Sequence, residues 1–433
     1  MSVPAEPALA MTASEAARAI AARELGAEAL TAACLARIED RDALVNAWVH
    51  VDAELALAQA RAADRALAAG EAAGPLHGVP VGIKDIFDTA DMPTERGSAL
   101  YRGRRTDGDA AVVAALRRAG AVILGKTVTA ELALSAPGPT ANPLDLKRTP
   151  GGSSSGSAAA VADYMVPLAV GSQTTGSVNR PASYCGIYAI KPSLGLVSTA
   201  GMSIHSHLLD HVGFFARDAA DLALALRAVV EGFGEREAEV PVRVSLGVVR
   251  GPPWPQADED ARAAFAAYVA DPGAGVTTTA VRLPAVFDDA IECQRIIVEA
   301  SLAANLGAVL GRTPALLREE TRRRVRNGLV IGAADYVRAV DRRAEQQTAL
   351  DGVFGAHDAL ITLAAPGQAP IGLASTGNAV FSAMWTMLGT PTVTLPLLGG
   401  RDGLPIGLQL IGRPGDDAHL LGVARRLAAA AGR

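Results

Sequence analysis

Pro150-Gly-Gly-Ser-Ser-Ser-Gly-Ser-Ala-Ala-Ala-Val161 is the most unusual segment of this 433-residue chain. In isolation it reads as a flexible Gly/Ser linker. Its neighbours argue against that. The serines run directly into an Ala-Ala-Ala-Val helix start, and residues 165–170 then read as an apolar strand. Small residues packed between core elements let backbones approach closely and let hydroxyls face a site. A second small-residue block follows that strand: Gly171-Ser-Gln-Thr-Thr-Gly-Ser177-Val-Asn-Arg180-Pro181. It precedes another expected helix start, where free backbone N–H groups can bind an anion or oxyanion.

Around these blocks, apolar strands alternate with helical periodicity. Strands are expected at 79–84, 121–124, 245–249, 359–362, 392–396 and 406–411. Helices are expected at 12–23, opened by a Thr12/Glu15 capping box, and at 28–41, 52–69, 109–119, 260–270, 289–306, 336–353 and 417–430. Short, nearly all-apolar strands separated by helices indicate a sheet covered on both faces, hence an α/β layered protein. There is no fixed-period repeat and no long polar linker, so one domain over 1–433 is expected, with 231–242 as the best candidate for an exposed connector.

Composition narrows the function classes. With 50% apolar residues and a net charge of only −5, the chain is not disordered. Its 40 Lys+Arg against 45 Asp+Glu leave no basic excess to neutralise phosphates, so a nucleic-acid partner is not expected. Cys34, Cys185 and Cys293 are scattered and odd in number, which speaks against a disulfide framework or zinc site and suits a reducing cytoplasm. The N-terminus lacks the basic and apolar pattern of a signal peptide. Residues 359–400 contain no Asp, Glu, Lys or Arg, yet Pro366, Pro370, Pro391 and Pro396 interrupt them. That is buried core rather than a membrane span, and no membrane partner is expected.

Two serine-rich strand-to-loop turns, together with the lysine of Gly82-Ile-Lys84-Asp85, point to a Ser/Lys nucleophilic site. A serine hydroxyl needs a base, and lysine serves only where burial or neighbouring donors lower its pKa. The competing reading of Lys84 is an ion pair with Asp85 or Asp88.

Gly78-Val-Pro-Val-Gly-Ile-Lys84-Asp85, Gly151-Gly-Ser153-Ser-Ser-Gly-Ser157 and Gly171-Ser-Gln-Thr-Thr-Gly-Ser177 closely resemble the amidase signature family. So do Tyr184-Cys-Gly-Ile-Tyr-Ala-Ile-Lys191-Pro192, Leu209-Asp210-His-Val-Gly213 and Gly403-Leu-Pro-Ile-Gly-Leu-Gln-Leu-Ile-Gly-Arg-Pro414. The likeness implies a three-layer α/β/α sandwich around a central mixed, mostly parallel twisted sheet. It divides a single amidase domain into N-terminal helices (1–70), a signature core (71–230), a variable substrate-shaping region (231–358) and a C-terminal sheet and helix (359–433).

The resemblance also implies a Ser–Ser–Lys triad. Ser177 would be the nucleophile, Ser153 a bridging serine after a cis peptide bond at Gly152, and Lys84 the unprotonated base. The backbone N–H groups of Thr174, Thr175, Gly176 and Ser177 would form an oxyanion hole, and Ser154 and Arg180 would contact substrate. The reaction would pass through a seryl acyl-enzyme with no metal and no cofactor. One departure stands out: Thr175-Gly176-Ser177 replaces the family's usual Gly-Gly-Ser, and a Cβ at Thr175 restricts the backbone there.

Ser177-Val-Asn-Arg180-Pro resembles the malonamidase branch, in which an arginine at that position holds a substrate carboxylate; a planar guanidinium suits that role. The other reading of Arg180 is a structural pairing with Asp or Glu. If Arg180 binds ligand, the substrates are half-amides, carboxylated ureas or carbamates. The alternatives are an amidotransferase component of glutaminase type, a urethane or aryl-amide hydrolase, or a non-catalytic binding protein on the same scaffold. Arg180 and the lack of a basic surface excess speak against the amidotransferase. A homodimer is a family-level expectation.

Other features carry less. Gly120-Ala-Val-Ile-Leu-Gly125-Lys126-Thr127 matches a P-loop pattern formally, but Ala-Val-Ile-Leu reads as a buried strand rather than an open phosphate cradle. His205, His207 and His211 with Asp210 could suggest a metal; a pocket lining for His205 and His207 is the preferred reading. Cys185 reads as a core thiol, and Arg322-Arg-Arg-Val-Arg326 as a solvated helix face.

Overall fold

The computed structural model describes residues 6–71, 73–234 and 240–432. Among them, eleven strands join in one sheet: β1 (Trp48–Val51), β2 (Pro80–Lys84), β3 (Val122–Thr127), β4 (Leu168–Gln173), β5 (Tyr188–Lys191), β6 (His211–Ala216), β7 (Val244–Val249), β8 (Val276–Val281), β9 (Ala359–Leu363), β10 (Thr392–Gly399) and β11 (Pro405–Ile411). Their order across the sheet is β1-β3-β2-β4-β6-β5-β10-β11-β9-β7-β8.

Successive side chains alternate between two buried faces. Leu168 and Val170 enter one core while Ala169 enters the other; Ala359, Ile361 and Leu363 are likewise separated from Leu360. The first face is covered by helices Ala111–Arg118, Ala219–Val229, Glu259–Ala270 and Asp417–Ala430. The second is covered by Ala27–Val45 and Ser155–Ala162 on one half, and by Ala290–Arg312, Ala333–Phe354 and Val380–Met387 on the other. This is the layered α/β fold with a mixed sheet. The expected parallel majority is corrected, because six of the ten strand pairings are antiparallel. Parallel pairing follows helical crossovers such as β2–Ala111–Arg118–β3 and β7–Glu259–Ala270–β8. The short β10–β11 connection can only return antiparallel.

Local chemistry explains the elements. Thr12 and Glu15 close the capping box that opens the helix Ala13–Ala21. The Gly/Ser block is no linker: it becomes the fully buried helix Ser155–Ala162. A Cβ on Gly156 would lie 2.1 Å from the Ala47 carbonyl oxygen and 2.4 Å from the Val128 nitrogen, so only glycine permits this approach. The P-loop-like run forms β3, buried along its whole length. Of the proposed connector 231–242, residues 235–239 lie outside the described residues, as do residues 1–5 of the N-terminal stretch; Val242 is exposed. One helical stretch, Ala285–Arg312, is long and apolar enough to cross a membrane, with mean hydropathy 1.2. Its α-helical part packs against helices Glu319–Leu329 and Ala333–Phe354.

Candidate active site

Lys84 is the last residue of β2, whose parallel register with β4 ends at Ile83 and Val170, two residues before Ser172. Its Nζ is completely buried and donates to Ser153 Oγ at 2.8 Å and to Ser172 Oγ at 2.9 Å. Burial holds the lysine pKa well below its ordinary 10.5; Asp210 opposes this and the Arg180 charge adds to it. An ion pair with Asp85 or Asp88 is not what Lys84 makes, since Asp85 lies 3.4 Å from Lys126 and Asp88 pairs with Arg104. Ser172 was not among the expected site residues, although it sits inside the block ending at Ser177.

Ser153 follows a cis peptide bond from Gly152 and is fully buried. Ser177 lines a cleft of about 530 Å³ together with Thr174, Thr175, Gly176 and Arg180. The hydrogen bonds of the structure join Lys84 to Ser153; among the described residues none joins Ser153 to Ser177. Ser154 does not line this cleft. It is fully buried, its hydroxyl donates to the Ser172 carbonyl at 3.2 Å, and its oxygen lies 3.3 Å from the Ser172 N–H, so it braces β4 instead of facing a ligand.

The loop 174–178 is fixed from several sides. Gln173 Oε1 accepts from the N–H groups of Val178 (2.7 Å) and Asn179 (3.0 Å). Thr386 donates to the Thr175 carbonyl at 2.7 Å, and Thr174 donates to Asp210 at 2.6 Å. Gln294 Nε2 reaches the Thr175 hydroxyl at 2.9 Å and the Thr174 carbonyl at 3.3 Å. Thr175 is not among the residues with positive φ, so its Cβ introduces no backbone strain. The N–H groups of Thr175, Gly176 and Ser177 donate to no acceptor among the described residues. Such preset donors are what a developing oxyanion requires.

Arg180 is buried, and its guanidinium donates to the Gly152 carbonyl (2.5 and 3.2 Å) and to the Gly377 carbonyl (2.8 Å). Burial lowers its pKa to about 10. It forms no ion pair with any described Asp or Glu, which removes the structural-pair reading. Arg295 and Arg324 also line the cleft, with His205 and Gln294, and no described Asp or Glu does. The 322–326 run is therefore divided: Arg322 and Arg326 pair with Glu319, while Arg324 turns into the cleft.

The histidines are held by backbone. His205 Nε2 meets the Leu132 carbonyl at 2.5 Å, and His211 Nδ1 meets the Leu209 carbonyl at 2.7 Å. His205 lines the cleft, whereas His207 lines a neighbouring apolar pocket. Among the described residues no group of three or more His, Cys, Asp or Glu side chains could hold a metal. Cys185 lies 3.4 Å from the Pro150 carbonyl, and burial pushes its thiol up, away from nucleophilic use. Trp254 packs against Phe265 and Phe381 and does not line the cleft.

A model of the amidase family matches residues 29–421. The chain belongs to the amidase signature family. This amidase is 37% identical to a glutamyl-tRNA(Gln) amidotransferase component from Chloroflexus aggregans, over 95% of each chain. It superposes on a crystal structure of an amidase with a TM-score of 0.89 at 29% identity, covering 97% and 99% of the two chains. A chain from a vestigial protein complex that reveals the origins of an s-triazine catabolic enzyme is similar at TM-score 0.88 and 28% identity, covering 97% and 98%.

Proposed function

We propose that this amidase hydrolyses a small amide bearing a carboxylate, through an acyl-enzyme on Ser177. The observation that carries the substrate reading is a cleft lined by Arg180 and Arg324, neither paired with a described carboxylate, and by no described acidic residue, in a chain whose net charge is −5. In the mechanism, Ser177 Oγ bonds to the carbonyl carbon while its proton passes to Ser153 and the Ser153 proton to neutral Lys84. The relay then runs backwards, protonating the amine as the C–N bond breaks, and water hydrolyses the ester by the same route. Substrate binding closes the gap between Ser153 and Ser177, as catalytic hydrogen bonds commonly tighten only in the complex. The N–H groups of Thr174, Thr175, Gly176 and Ser177 receive the oxyanion. The buried free thiols of Cys34, Cys185 and Cys293 support action in a reducing cytoplasm.

A second reading has specific support. On sequence similarity, the relatives favour an amidotransferase component that takes ammonia from glutamine over a hydrolase acting alone. The cleft chemistry favours the first reading, because the arginines suit the α-carboxylate of glutamine but no described lining carboxylate offsets its α-ammonium.

Purified chain offered half-amides, carboxylated ureas, carbamates, neutral aryl amides and glutamine separates these readings. The expected result is turnover of carboxylated amides, abolished by Ser177→Ala, with Arg180→Ala harming them at least about tenfold more than neutral amides. Turnover of glutamine alone, or equal losses across the panel in Arg180→Ala, contradicts the proposal.

A further inference from the structure

Arg324 is the one member of its basic run that lines the cleft, and no carboxylate engages it among the described residues. On the helix Glu319–Leu329, Arg322 and Arg326 both reach Glu319. Arg324 lies two positions from each, on the other side of the helix, and donates to the neutral Ser135 hydroxyl at 3.2 Å. The acids closest in effect, Glu299 and Glu320, do not touch it. Glu299 is committed to Arg295 at 2.5 Å, while Glu320 acts from a distance on both Arg324 and Arg180 and forms no ion pair with a described residue. Arg295 is half-exposed and held twice, by Glu292 and Glu299, so it is largely neutralised. Arg180 and Arg324 thus remain as two guanidiniums with no described carboxylate in contact, facing the same cleft from different walls. One wall is rooted in the helix that follows Ser177, the other in the 231–358 region.

Two like charges in a recessed cleft disfavour each other, and the Arg324 charge does oppose that of Arg180. One carboxylate can satisfy only one fork of donors in bidentate fashion. We infer that the substrate is a dianionic amide, with one anionic group held by Arg180 and a second, in the other half of the molecule, read by Arg324. This rests on the carboxylated-amide reading above and extends it. The reaction remains cleavage of one C–N bond by water, releasing an acid and an amine each bearing an anionic group. Arg324 contributes binding and discrimination rather than bond making.

Calorimetric titration of the Ser177→Ala protein tests this without turnover. The probes are N-succinylglycine and N-malonylglycine, with a carboxylate on each side of the amide, against succinamate, with one. The dianions are expected to bind at least about tenfold tighter than succinamate. Adding Arg324→Gln should shrink that ratio to below about threefold, whereas Arg324→Lys, which keeps the charge, should retain most of it. A fold check by circular dichroism accompanies both variants. Equal binding of mono- and dianions, an unchanged ratio in Arg324→Gln, or no binding of either dianion at millimolar concentration overturns the inference. Its failure is distinguishable from failure of the hydrolase reading, which is read separately by Ser177-dependent hydrolysis in the wild-type protein.

Discussion

Lys84, Lys126 and Lys191 are all fully buried, and they separate by what their amines touch. Lys126 donates to the Phe87 and Pro93 carbonyls and to the Thr89 and Thr94 hydroxyls, with Asp85 at 3.4 Å; burial lowers it to about 8. Lys191 donates to the Pro192 and Thr390 carbonyls, and burial lowers it to about 7. Lys84 alone of the three meets only hydroxyls, with no described carbonyl or carboxylate in contact, which suits a base that must exchange a proton with one of them. Its lowered pKa also makes stability depend on pH. Lys84 is neutral in the fold at pH values where the unfolded chain carries a proton on it, so the unfolded state binds more protons and stability rises with pH up to 10.5. Relative to Lys84→Met, the wild type should therefore gain about 1.4 kcal/mol per pH unit across that window. Urea unfolding of both proteins at several pH values measures it; parallel pH profiles would mean that Lys84 is charged in the fold. The motif made Lys84, Ser153 and Ser177 legible in sequence. Ser172 was less so, because nothing in its block distinguishes one serine from the next until its contact with Lys84 is seen.

The loop 174–178 and the helix Ala290–Arg312 meet through Gln294, which holds Thr175 by its hydroxyl. A threonine where the family usually has glycine is thus matched by a partner on a distant element. Gln294→Ala should lower kcat roughly three- to tenfold with little change in KM, because the loop must be preset for the transition state. Combined with Thr175→Gly, the loss should be less than the product of the single losses. Steady-state kinetics of the four proteins decides: multiplicative losses would show that the contact does not act on the loop. Sequence periodicity located most helices and the apolar strands, but it missed β1, β5, β6 and β8. β8 is an edge strand, Val-Thr-Thr-Thr-Ala-Val, with mostly partly or fully exposed side chains, and β5 has only four residues. Neither offers the apolar run that marked the central strands. The substrate wall escaped for a different reason. Arg324 belongs to a run that reads as a solvated face, and only packing against Ala290–Arg312 shows which arginine points inward.

Taken whole, the molecule is net acidic around a basic cleft, which no composition total could reveal. The layered α/β architecture was legible from alternation and from the motifs. Strand direction was not, because it is set by whether each connection is a helical crossover or a short return. The proposed mechanism makes activity of the whole depend on neutral Lys84 activating Ser177 through Ser153 in this setting. A fluorophosphonate probe reads that most directly, since the attacking serine oxygen displaces fluoride and leaves a stable adduct. Peptide mapping should find the adduct on Ser177, with none on the Ser177→Ala protein, and at pH 7 the labelling rate should fall at least about a hundredfold in Lys84→Ala and in Ser153→Ala. An adduct on any other residue, or labelling of Ser177 at an undiminished rate without Lys84, would contradict it.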